Sequence, residues 1–63
     1  MVYVEPYKVV AFEGTDNERY WTRRSAISIG RLLANVRRQI DPDAKLYRLD
    51  ALGRWFEIAL DYS

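Results

Sequence analysis

Arginine, asparagine and tryptophan carry most of the chemistry this sequence offers. Arg31, Asn35 and Arg38 are spaced i, i+4 and i+7, one stripe of a helix, with Arg37 beside them. Arginine contacts phosphates or guanine, and asparagine pairs with adenine, so the stripe has the residue types of a recognition helix. An ordinary solvated helix face carries the same types. Tyr20-Trp21-Thr22-Arg23-Arg24 leads into this helix and sets two adjacent arginines near its N-terminus, whose free N–H groups attract anions. A simple polar connection would read the same way.

A second set is expected on a sheet surface: Arg19, Trp21, Arg23, Arg48, Trp55 and Glu57. Aromatics interleaved with arginines can stack bases. Tryptophan, tyrosine and arginine are also the residues enriched at protein-interface hot spots. Glu57, Asp50 and Glu5 add negative charge. Mixed charge favours a protein partner, or a second copy of the chain, over a polyanion. The bland alternative is that Trp55 packs over the stems of neighbouring arginines.

Enzymatic chemistry is not expected. The chain has no histidine and no cysteine, which removes the commonest acid/base and thiol groups. Ser25 and Ser28 have no imidazole partner and read as helix caps. Glu13, Asp16 and Glu18 surround a turn, but their spacing matches no calcium-loop pattern. Three isolated glycines form no phosphate-binding motif. No cofactor and no metal site are therefore expected.

Length and composition bound the rest. The chain has 63 residues, a length near the lower limit for folding without disulfides or metals. Apolar residues make up 49% and aromatics 14%, enough for a core, since each ring can bury roughly 150–250 Å². Ten basic residues face nine acidic ones, a balance unlike the basic surplus of nonspecific DNA binders. Eight of the ten are arginine, which prefers bidentate and stacked contacts. No apolar run reaches the roughly 18–20 residues of a membrane span. The N-terminal residues do not resemble a signal peptide, and the lack of cysteine fits a cytoplasmic protein.

The elements that must position these residues follow from periodicity and punctuation. Residues 7–13 and 18–24 are rich in strand formers and flank Gly14-Thr15-Asp16-Asn17, a hairpin pattern. Placing Glu13 opposite Glu18 is unfavourable; a shift by one puts Val9 opposite Trp21. Because a one-residue slip exchanges the two faces, the side taken by Tyr20 and by Trp21 stays open at this level. Residues 28–40 are predicted to be helical, with Ile29, Leu32, Leu33, Val36 and Ile40 on one face and a stop before Pro42. Residues 45–51 and 54–60 form a second hairpin. A tight Leu52-Gly53 turn would pair Leu49 with Phe56 and Tyr47 with Ile58 toward the core, and Arg48 with Glu57 on the other face. A bulge in this turn is the alternative, since leucine suits the primed turns poorly.

The expectation is a single α+β domain over residues 1–63, ordered β-β-α-β-β, with a short extra strand at residues 2–4 as an addition. Four mostly antiparallel strands would carry one helix on one face. One helix covers one side of such a sheet, so the other side must meet solvent or a partner. The leading functional expectation is a small interaction module, an adaptor or inhibitor-like protein that self-associates, using Trp21, Arg23, Arg48, Trp55 and Glu57. The alternative is a nucleic-acid-binding module using Arg23, Arg24, Arg31, Asn35, Arg37 and Arg38.

Overall fold

A computed structural model describes residues 4–59. The elements are β1 (Tyr7–Ala11), β2 (Arg19–Arg23), α1 (Ala26–Gln39), β3 (Lys45–Leu49) and β4 (Trp55–Ile58), in the order β-β-α-β-β. The strands form one sheet in the order β2-β1-β3-β4, and every pairing is antiparallel. The extra strand expected at residues 2–4 falls on residues outside those described, apart from Val4, which is in no strand. Leu60, expected in the core, also lies outside the described residues.

The first hairpin adopts the register that separates Glu13 from Glu18. Val9 lies opposite Trp21 and Ala11 opposite Arg19. Its turn is built by Thr15, whose backbone N–H and hydroxyl both donate to the Phe12 carbonyl. Gly14 has φ +81°, where a Cβ would be strained.

Helix α1 starts earlier than periodicity suggests. Ser25, not Ser28, is the N-cap, and its Oγ accepts from the Ser28 amide at 3.1 Å. The buried face consists of Ile29, Gly30, Leu33 and Val36. Ile29, Leu33 and Val36 meet Val9, Ala11, Ala44 and Leu46 in the core, with Trp21, Tyr7, Leu32 and Ile58 packed at its margin. Covering Ile29 completely contributes about 1.5–3 kcal/mol. Ile40, expected on this face, is instead the C-cap residue and 39% exposed. Beyond Gln39 the chain leaves helical geometry, with Ile40 at φ −124° and the Ile40 and Asp41 amides both donating to the Val36 carbonyl, so the next apolar position of the stripe swings off the sheet.

The second hairpin departs from the expected register by one residue. Leu49 pairs with Trp55, Arg48 with Phe56, Tyr47 with Glu57 and Leu46 with Ile58. The cause is the turn. It is not a two-residue Leu52-Gly53 loop but a longer one closed by Asp50 and Arg54, whose backbones are bonded at 2.8 Å. The Gly53 amide donates to the Asp50 carbonyl, and Gly53 has φ +80°, the left-handed position of a bulged three-residue loop. The Asp50 carboxylate holds this loop by accepting from the Leu52 and Arg54 amides and from the Arg54 guanidinium. One extra loop residue reverses the faces of β3 relative to β4. Tyr47 and Leu49, expected in the core, therefore leave it, and Leu46 takes their place.

Candidate functional site

Residues paired across antiparallel strands point to the same side, and alternate residues point to opposite sides. Val9 and Leu46 are core residues under α1, so the registers assign every strand position. Tyr7, Val9, Ala11, Arg19, Trp21, Arg23, Leu46, Arg48, Phe56 and Ile58 share the helix side. Lys8, Val10, Tyr20, Thr22, Lys45, Tyr47, Leu49, Trp55 and Glu57 share the open side.

The open side is organised around Lys8. Its ammonium lies 4.4 Å from the Trp55 ring centroid, 5.5 Å from Tyr47 and 5.9 Å from Tyr20. All three distances lie within the reach of a cation–π attraction. The three rings come from β4, β3 and β2, and Lys8 stands on β1 in the middle of the sheet. Tyr20 is 67% exposed and Trp55 36% exposed, so the rings form a surface rather than a core. Val10, flanked in the register by Tyr20 and Lys45, is almost fully covered.

Carboxylates border this cluster. The Tyr47 hydroxyl donates to the Glu13 carboxylate, and Glu57 lies opposite Tyr47. The bond to Glu13, reinforced by burial and by the charges of Glu13, Glu57 and Glu18, pushes the Tyr47 phenol up to about 12. Ionising this phenol would break the bond and set a second negative charge beside Glu13. At another margin the Thr22 hydroxyl donates to Glu5 at 2.8 Å.

The sequence-predicted residues separate between the two sides. Trp55 and Glu57 lie on the open side as expected. Arg19, Trp21, Arg23 and Arg48 do not: the registers put them on the helix side, where Trp21 packs against the core margin. Arg48 stands over the Tyr7 ring at 5.8 Å instead of meeting Glu57. The Arg23 guanidinium donates to the Thr22 carbonyl. On α1, Arg31, Asn35 and Arg38 are all exposed, and Arg38 donates to the Asn35 side chain at 2.7 Å. Arg37 donates through Nε to the Ala44 carbonyl at 2.9 Å, which ties the helix end to the start of β3. Arg24 lies between β2 and the Ser25 cap.

Lys8, Tyr20 and Tyr47 are the open-side residues that sequence reasoning missed. Their signal was the parity of the two registers. With Val9 opposite Trp21, Lys8 must share a side with Thr22 and Tyr20. For Tyr47, the pointer was Asp50 three residues before Gly53, a turn-opening residue with a left-handed glycine.

Two acidic residues of the first turn, Glu13 and Glu18, are engaged with the protein itself. Glu18 accepts from the Gly14 amide at 2.9 Å and Glu13 accepts from Tyr47. Among the described residues, no group of three or more acidic side chains is arranged to hold a metal ion. Nor is any helix among them long and apolar enough to cross a membrane. No protein-family model, curated protein or solved structure matches the chain.

Proposed function

We propose that this protein is a non-enzymatic interaction module that self-associates through the open side of its sheet. The observation that carries this reading is the Lys8-centred cluster of Tyr20, Tyr47 and Trp55, aromatic surface on the side that α1 does not cover. Aromatic rings at the centre of a patch, with polar groups at its rim, are the anatomy of a protein interface.

A second copy fits this face by charge. A two-fold contact is self-complementary, so the patch must carry both signs. The open side has Lys8 and Lys45 together with Glu57, and Glu13 at its border. A rotated copy can set lysines against glutamates while the rings stack. Covering this face would also add buried apolar area to a chain whose single-helix core is small.

Sedimentation of the wild-type chain over a wide concentration range tests the reading. The expected result is a monomer–dimer equilibrium that Tyr20→Ser and Trp55→Ala shift toward monomer, with circular dichroism unchanged. A strict monomer at the highest concentration would overturn self-association. Unfolding of both variants, together with a wild-type monomer, would assign the rings to stability alone.

A further inference from the structure

The near-neutral charge of the sequence conceals two unlike sides. Helix α1 contains Arg31, Arg37 and Arg38 and no acidic residue. The strand positions on the same side contribute Arg19, Arg23 and Arg48, again without a carboxylate. The glutamates that engage Tyr47, or lie opposite it, belong to the other side. Total charge is therefore a poor guide to what this chain can bind, because six arginines and no acid share one surface of regular structure.

We propose that the helix side binds the phosphate backbone of duplex nucleic acid, independently of sequence. Three features favour this ligand. The cations are all arginine, whose planar fork makes paired bonds to phosphate oxygens. The helix stands on the sheet as a ridge with Arg31 and Arg38 exposed along it, a shape that enters a major groove roughly 12 Å wide. Arg19 on β2 and Arg48 on β3 are exposed on this same side, on the strands either side of β1, and can meet phosphates next to those the helix contacts. The fold extends 34 × 33 × 17 Å, so this face can follow roughly one helical turn of about 34–36 Å.

An anionic membrane fits less well. The apolar face of α1 is buried against the sheet and cannot insert among acyl chains. A single strand also fits less well, because Tyr20, the most exposed ring among the described residues, lies on the opposite side. Arg37 contributes charge while its Nε stays committed to the Ala44 carbonyl. The inference stands apart from self-association, since it uses the other side of the sheet.

Fluorescence anisotropy with a labelled mixed-sequence duplex of about 20 base pairs tests it, over about 50 to 200 mM salt. The expected result is binding whose logarithm falls against log salt with a slope of about −3 to −5. R31Q/R38Q should weaken low-salt binding at least about tenfold and flatten the slope by about 2. R19Q, on the exposed edge strand, should flatten it by about 1. R54Q removes the same charge from the loop between β3 and β4 and should leave the slope unchanged. Absence of duplex binding at low salt would overturn the proposal. So would equal losses from R19Q and R54Q, tighter binding to the matching single strand, or binding only to phosphatidylserine vesicles.

Discussion

The Asp41 carboxylate accepts the backbone N–H of Phe12 at 2.8 Å across 29 residues of sequence. Phe12 sits at the end of β1 with φ +54°, a conformation uncommon for a residue with a large side chain. Asp41 follows the end of α1 and is only 8% exposed, and its other carboxylate oxygen accepts from the Asp43 amide at 3.0 Å. One acidic side chain thus joins the helix exit to the first hairpin turn.

Removing it should leave the Phe12 amide without its acceptor. Asp41→Ala is expected to destabilise the fold by about 1–3 kcal/mol in urea unfolding. Asp41→Asn keeps a carbonyl oxygen for the Phe12 amide and should cost less. Equal stability of wild type and Asp41→Ala would show that this bond holds nothing together.

The two tryptophans should behave differently. Trp21→Ala removes a ring packed at the core margin and is expected to cost about 2–3 kcal/mol, below the range for a fully buried ring. Trp55→Ala, on the edge strand β4, should cost less than about 1 kcal/mol. Denaturant midpoints of the two variants check the order, and the reverse order would contradict the face assignment.

Tyr47 predicts alkaline sensitivity. Its phenol ionises at about 12 in the fold, against about 10 for an unperturbed tyrosine. A raised folded value means that the stabilisation is complete below pH 10 and is lost as pH rises through 12. Ultraviolet titration should find Tyr47 ionising late. Glu13→Ala, which removes both the hydrogen bond and the nearest charge, should return it toward 10 and reduce the loss of stability between pH 10 and 12.

The β3–β4 turn should depend on Gly53 for its backbone and not for space. A Cβ at Gly53 would meet nothing within 4 Å, but φ +80° penalises any side chain. Gly53→Ala is therefore expected to cost about 1–2 kcal/mol. Asp50→Ala removes the carboxylate that three Leu52 and Arg54 donors share, and amide exchange should quicken first in this hairpin. The Arg54 amide, then the Leu52 amide and the Arg54 side chain, hold the Asp50 carboxyl below its usual value despite desolvation. Its contribution is present above the unfolded value and is lost as pH falls through the folded one. An unchanged exchange pattern in Asp50→Ala would show that the glycine alone sets the turn.

Element types and their order were legible because they rest on local chemistry. Strand-forming runs around Gly14, the apolar stripe of Ile29, Leu33 and Val36, and the Pro42 stop act within a few residues. The arginine stripe on α1 was legible for the same reason. Tyr47 and Leu49 were misplaced because their direction depends on how many residues the Asp50–Arg54 loop contains; leucine at position 52 left a bulge open without fixing that number. Ile40 was misplaced because helical periodicity carries no information about where the backbone departs from it.

By itself, the sequence determined an α+β chain without cysteine or histidine chemistry, ordered β-β-α-β-β, with a helix apolar on one side and basic on the other. Only the tertiary structure decided which side of the sheet each strand residue occupies. Side-chain direction alternates with a period of two, so a single residue of register in either hairpin exchanges whole faces. That parity gathers Lys8, Tyr20, Tyr47 and Trp55 on the open side and Arg19, Arg23 and Arg48 beside the helix. A nearly neutral sequence thereby folds into a protein with a Lys8-centred aromatic cluster on one side and its strand and helix arginines on the other.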